Sequence, residues 1–415
     1  MLDSVFVQPS VVNRLRRTPV GVSLDELVTI LHQQGYARDS IRGYLRACAQ
    51  FGQWLGQQGY HVSEVDETLI QQYRSGLHRS REGRQPKAAE GLPHLLRLLR
   101  QRAIVPPPTS QPPSTAADQW LRRYEHYLEH ILGATLRTRQ RSLPLAKRFL
   151  DACWQSGQWE WSALRAQEIT EFVRQHATPR TGAGRKVPTV VVRSFLRFLV
   201  FCGELRPGLE AAAPTLRQWT QATLPQRLTL EEVEGVLATC SRSTPQHLHD
   251  HAILLLLARL GLRAHEIVVL CLEDVDWHHG QLAIRPGKTH QERVLPLSQA
   301  IGSALATYLR QGRPASESRR VFLNFRAPFR PFAGASAITQ IAQRAMRRAG
   351  IARQPLQGAH TFRHTAASQM VNRGASFKDV ADVLGHRSLQ TTGIYAKLDL
   401  DALARVALPW MGATS

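Results

Sequence analysis

Cysteine is sparse in this chain of 415 residues. Its five cysteines, Cys48, Cys153, Cys202, Cys240 and Cys271, are odd in number, widely spaced and never paired as CxxC. That excludes a zinc ribbon and a thioredoxin-type redox pair, and reads as buried free thiols in a reducing cytoplasm. Long apolar runs are missing too. The longest, from Ala252 to Leu262, is broken by Arg259, whereas a bilayer-spanning helix takes about 20 such residues. Asp3 stands early and no apolar stretch precedes Arg14, so the first residues do not read as a secretory signal. The expectation is a soluble protein with no membrane partner. Acidic residues are also short: 32 Asp and Glu against 53 Lys and Arg leave a formal charge of +21. Lysine contributes only at Lys87, Lys147, Lys186, Lys288, Lys378 and Lys397. A GC-rich genome explains that ratio but not the net excess. Arginine's planar fork suits phosphates and guanine edges, so a pI near 10.8 points to nucleic acid before an anionic membrane.

What is there is a hydrophobic fraction of 43%, enough to argue against general disorder, and a length suited to two or three domains. Pro and Gly punctuation divides the chain. Residues 1–22 read as an N-terminal tail and 23–105 as a helical repeat. Residues 106–115 form a Pro-rich linker, 116–212 a second helical domain, and 213–224 a further linker. A third domain spans 225–400, and 401–415 is a C-terminal tail. The first repeat is expected to open with a capping box over Ser23 to Glu26. Both helical segments close with an apolar-and-arginine helix that runs into a turn and a proline (LPHLLRLLRQRAIVPPP and VVVRSFLRFLVFCGELRPG), which suggests copies of one unit. From Arg227 the pattern changes. A capping box at Thr229 and Glu232 precedes the helix HAILLLLARLG, then Leu282/Ile284 and Val294/Leu295/Leu297 flank a polar Gly-Lys turn as short strands, and helices resume. The expected fold class is mainly α: two helical domains whose basic faces suit DNA, then a mixed α/β domain with a small antiparallel sheet.

Four words occur in order within the last third: LGLRAHEI, RPGKTHQERVLPL, HTFRHTAASQMVNRG and LGHRSLQTTGIY. Together they resemble the tyrosine recombinase (phage-integrase) family, through Arg263 with Glu266, Lys288, His360 with Arg363 and His364, His386, and Tyr395 nine residues later. The resemblance covers Leu224 to about Leu400 strongly and Ala116 to Gly208 more weakly, as the family's DNA-clamping domain. It implies a mobile-element integrase or transposase that recombines DNA at specific sites through a 3′-phosphotyrosyl intermediate. Arg263, Lys288, His360, Arg363, His386 and Tyr395 would be catalytic, with Glu266 and His364 supporting them.

The residue types suit that chemistry. Attack on a phosphodiester loads charge onto the nonbridging oxygens, and two arginines can fork onto them in place of a metal. A tyrosine hydroxyl, with a reference pKa near 10, is activated by neighbouring cations. Lys288 would protonate the 5′-oxygen leaving group, His360 assist proton removal from Tyr395, and His386 donate to a phosphate oxygen. Each match alone is weak; a lone tyrosine is usually an amphipathic surface residue and Lys288 could be only a turn residue. Their joint order is specific.

Rival motifs fail. Gly287-Lys288-Thr289 lacks the P-loop's first glycine, since Leu282 stands there, and the zincin glutamate position between His360 and His364 holds Thr361. His247, His249 and His251 match no standard metal spacing, and a DNA-facing or capping role fits them better. No metal or other cofactor is expected. Arg180, Arg185 and Lys186 form a candidate phosphate-contacting loop. The expected partners are double-stranded DNA with recombination sites, further copies of the chain in a tetramer, and possible partner recombinases, in the bacterial cytoplasm at the nucleoid. Leu400, Leu403, Val406, Ala407 and Trp410 recur at near-helical spacing, a stripe that must be buried against something. The resemblance implies that the tail packs on a neighbouring protomer, the alternative being that it folds back over the catalytic core of its own chain. Two alternatives stand beside this reading: a type IB topoisomerase-like enzyme without synapsis, and a decayed recombinase that only binds DNA as a regulator.

Overall fold

The computed structural model describes residues 1–78, 90–107, 115–153, 161–178, 182–215, 226–240, 243–285, 292–351 and 358–386. They fall into two compact units, one drawn from Met1–Pro107 and Thr223–Ser415, the other from Pro108–Ala222. Among them, no helix is long and apolar enough to cross a membrane.

The first unit begins with α1 (Leu2–Val5), α2 (Pro9–Arg16), α3 (Gly21–Gln33), α4 (Arg38–Gln58), α5 (Glu67–His78) and α6 (Leu92–Gln101). Residues 1–22 are therefore not a tail. Leu2, Val5, Phe6, Val12 and Leu15 are buried in one core with Leu24, Leu27, Phe51 and Leu99. Helices this short gain their stability from such packing rather than from propensity, which is why local signals miss them. The capping box expected at Ser23 is absent as well: α3 starts at Gly21 and Ser23 is buried. Asp25 instead accepts the Leu2 backbone N–H at 2.7 Å and Arg16 Nε at 3.1 Å, which ties α1 and α2 to α3.

The second unit holds α7 (Ala116–His126), α8 (Leu136–Cys153), α9 (Ala166–Ala177) and α10 (Val187–Phe201). Tyr124, Phe149, Trp161, Phe195 and Phe198 fill its core. A single turn of 3-10 helix precedes α5 at Val62–Glu64 and α9 at Trp161–Ala163, a position common to the two sets of four helices, while a π-helical turn at Tyr127–Ile131 follows α7 and has no counterpart after α3.

The remainder of the first unit starts with α11 (Leu230–Ala238), where Thr229 and Glu232 form the expected capping box. α12 (Pro245–Leu260) follows, buried from Leu248 to Ala258 and again at Leu260. A helix apolar on all faces belongs at the centre of a domain, and here α13 (Ala264–Val269), α14 (Gln299–Thr307), α15 (Ser336–Arg348) and α16 (Ala359–Asn372) pack around it. β1 (Val275–Asp276), β2 (Gln281–Ile284) and β3 (Arg293–Pro296) make an antiparallel sheet in that order, with Leu282 opposite Leu295. α17 (Phe377–Leu384) is the last described helix. Two of the three histidines of α12 are core residues, neither DNA-facing nor caps, while His247 in its first turn is half-buried. His249 and His251 are buried, Thr244 caps the helix, and the His249 ring, 2.8 Å from Asp250, lies among Tyr308, Phe322 and Phe325.

Candidate active site

α12 ends at Gly261, whose φ of 59° is a left-handed conformation suited to glycine. A Cβ there would stand 2.8 Å from Leu384 Cδ2 and 3.2 Å from Ala366 Cβ, so the bare backbone lets the chain pass close to α16 and α17. Two residues later Arg263 caps the start of α13. Glu266 reaches back to accept the Arg263 backbone N–H at 2.8 Å and its Nη1 at 2.9 Å. Arg363, buried on α16, donates from Nη1 to the Gly261 carbonyl at 2.8 Å and from Nη2 to the Leu384 carbonyl at 2.6 Å.

The C-terminus of α17 is the point of convergence. Ser376 caps its start, and Gly385, at φ 64°, ends it. A helix end leaves carbonyls without intrahelical donors and carries the negative pole of the helix dipole, so cations gather there. Three successive carbonyls take three different arginines. The Val383 carbonyl accepts Arg293 Nε at 2.8 Å, Leu384 accepts Arg363 Nη2 at 2.6 Å, and Gly385 accepts Arg263 Nη2 at 2.7 Å. A Cβ on Gly385 would lie 2.7 Å from Arg293 Nη1, so a side chain there would collide with the cluster.

The histidines border this cluster. His360 stands in the first turn of α16, one turn ahead of Arg363, with His364 one turn on; His386 follows Gly385 directly. Burial lowers the His386 pKa to about 4, with Arg363, Arg263 and Arg293 adding to it. His364 is likewise pushed down to about 4 by burial, then by His360 and Arg363, and His360 is lowered by desolvation, then by Arg363 and Arg263. Neutral imidazoles result at pH 7, each able to accept a proton at one nitrogen and donate from the other. The unfolded chain, with histidines near 6.5, binds more protons than the folded one, so stability should be full above about pH 6.5 and decline as pH falls towards 4. Denaturant melts across that window check this, and replacing His364 and His386 together by glutamine should flatten the decline. An equally steep decline in that variant would assign it to other groups.

Burial opposes the charged form of Glu266, but hydrogen bonds and charge from Arg293, followed by those of Arg263, outweigh it and hold its carboxyl below the usual range. Arg263 keeps 30% of its side chain exposed, against 10% for Glu266 and for Arg293. Of these three, Arg263 is open to a substrate.

The structure thus brings Arg263, Glu266, His360, Arg363, His364 and His386 together. Lys288, Tyr395 and Arg180 lie outside the described residues, as does the 401–415 tail. Arg185, exposed, and Lys186, half-buried, sit in the other unit, in the turn Gly182–Lys186 ahead of α10. Sequence reasoning missed Arg293. Its signal was an inverted alternation: on β3 Arg293 shares a face with buried Leu295, while Val294 is 56% exposed. An arginine on the inward face of a strand needs a buried partner.

The sequence profile of the phage integrase family matches residues 226–401. The protein y4rA of Sinorhizobium fredii, named provisionally as an integrase/recombinase, is 36% identical over 95% of this chain and 95% of its own length. Tyrosine recombinase XerD of Listeria monocytogenes is 29% identical over 65% of this chain and 91% of its own. In fold, the chain is similar to the XerH site-specific recombinase crystallised with a palindromic difH substrate, at TM-score 0.57 and 18% identity, covering 82% of this chain and 93% of that one. It is similar also to a lambda integrase(75-356) dimer on a COC' core site, at TM-score 0.52 and 17% identity, covering 67% and 94%. With arginines, histidines and a glutamate gathered in the family's motif order on a shared fold, this chain belongs to the phage integrase family of tyrosine recombinases, enzymes that cleave and rejoin DNA.

Proposed function

We propose that this chain recombines specific DNA sites as a mobile-element integrase or transposase, with Tyr395 as the nucleophile. The observation that carries the reading is the pair Arg263 and Arg363, held on adjacent carbonyls at the end of α17 beside His360 and His386. A phosphodiester placed against this cluster meets two fixed cations where charge develops in the transition state. Neutral His360 takes the Tyr395 proton, His386 donates to a nonbridging oxygen, and Lys288 protonates the departing 5′-oxygen. The phosphotyrosyl bond that forms as the 5′-oxygen leaves stores the energy for religation. Arg180, Arg185 and Lys186 contact phosphates. Two DNA sites meet in a tetramer, with partner recombinases possible and the C-terminal tail packed on a neighbouring protomer, at the nucleoid.

A nicked substrate that traps the covalent step tests the reading, since a DNA-binding regulator would yield no adduct. Recombination that needs two sites in one reaction separates this function from topoisomerase-like relaxation, which needs one. The arginines supply the positive charge, so adduct formation should survive EDTA at an unchanged rate. Loss of the adduct in chelator, restored by Mg²⁺, would reject the arginine mechanism.

A further inference from the structure

We propose that Arg293 is a positioning residue: acting through Glu266 and the end of α17, it holds Arg263 towards the scissile phosphate without itself touching DNA. This rests on the reading of Arg263 as a phosphate ligand. Glu266 alone would be a poor support. A single carboxylate paired with Arg263 would cancel its charge and draw its donors away from the substrate. Arg293 changes that balance. Its Nη2 donates to Glu266 Oε2 at 2.8 Å and its Nη1 to Oε1 at 3.1 Å, so both carboxylate oxygens are engaged from the buried side. Arg263 then shares one oxygen, through Nη1, and the group of two arginines and one carboxylate keeps a net positive charge facing outward.

The same guanidinium fixes distance. Arg293 Nε donates to the Val383 carbonyl, two residues before the Gly385 carbonyl that receives Arg263. The guanidinium therefore links β3 to α13 and to the end of α17, the two elements whose Glu266 and Gly385 hold Arg263. All three of its nitrogens already donate within the protein, two of them to the Glu266 carboxylate that offsets its charge, whereas Arg363 donates to neutral carbonyls. The Arg293 side chain is 10% exposed, against 30% for Arg263. One arginine is the clamp and the other is presented.

The test uses the full chain and compares Arg293→Gln, Arg293→Lys and Arg263→Gln. Three quantities are read: the single-turnover adduct rate at saturating nicked DNA, the slope of log Kd against log salt, and the melting temperature. Arg293→Gln should bind DNA within about threefold of the parent with the same salt slope, yet form adduct about tenfold to a hundredfold more slowly, the scale of an ångström-level misplacement. Arg293→Lys keeps the charge but not the fork, and should recover part of that rate. Arg263→Gln should lower the salt slope by about one, as expected for a lost phosphate contact. An unchanged adduct rate in Arg293→Gln beside an impaired Arg263→Gln would overturn the positioning role alone. A salt slope lowered by about one in Arg293→Gln would overturn it too, by making Arg293 a phosphate ligand. Unaltered slope and rate in Arg263→Gln would sink the underlying reading. Should Arg293→Gln fail to fold, Arg293→Lys carries the same comparison: a parental adduct rate there removes the need for the fork.

Discussion

Tyr395→Phe should bind cognate DNA as tightly as the parent chain and form no SDS-resistant adduct. Only the phenolic oxygen is lost, while the basic surface that meets the phosphates is untouched. Loss of a nucleophile is among the largest single effects in enzymology, on the order of 10⁶ in rate where it has been isolated, so the adduct should fall below detection. The cations around Arg263 and Arg363 cannot compensate, because they stabilise a charge that never forms. An adduct that persisted in the phenylalanine variant would name another residue as the nucleophile.

Arg363→Ala should lose both activity and stability. Withdrawing one preorganised donor from a developing oxyanion costs about 10²–10³ in rate, and Arg363 is one of two guanidiniums in the described cluster that are read as phosphate ligands. The same truncation strips the carbonyls of Gly261 and Leu384 of a buried donor, at about 1–3 kcal/mol each. For a domain of about 150–250 residues, that total should lower the melting temperature by roughly 4–24 °C. Arg363→Lys should fall between, since an ammonium keeps the charge but cannot span both carbonyls. Thermal melts and single-turnover cleavage read the two losses separately. Parental values of both in Arg363→Ala would remove the residue from the site.

The parts of the fold that were legible share one property: their signal is local. Thr229 and Glu232 mark the start of α11 because the cap is made three residues apart. The strands β2 and β3 show as the short apolar sets Leu282/Ile284 and Val294/Leu295 on either side of a polar stretch of sequence. By contrast, α1 and α2 are held by burial of Leu2, Val5, Val12 and Leu15 against helices beginning at Gly21 and Arg38, and nothing near residues 1–22 announces that partner. His249 and His251 mislead for the reverse reason. Their spacing suggests a function, and only the rings of Tyr308, Phe322 and Phe325 around His249 show a packed interior.

The sequence by itself determined the chemistry on offer: an arginine-rich surface, and two arginines, three histidines, a lysine and a tyrosine in an order that names a family. Side-chain identity is written in the letters, and motif order needs no coordinates. Tertiary structure alone decided how the arginines are held. Arg263 meets the carbonyl of a residue 122 positions away, Arg293 one 90 positions away and Arg363 one 21 positions away. Those acceptors are backbone carbonyls at a helix end, and since every residue carries one, no letter of the sequence marks them as the frame of the site.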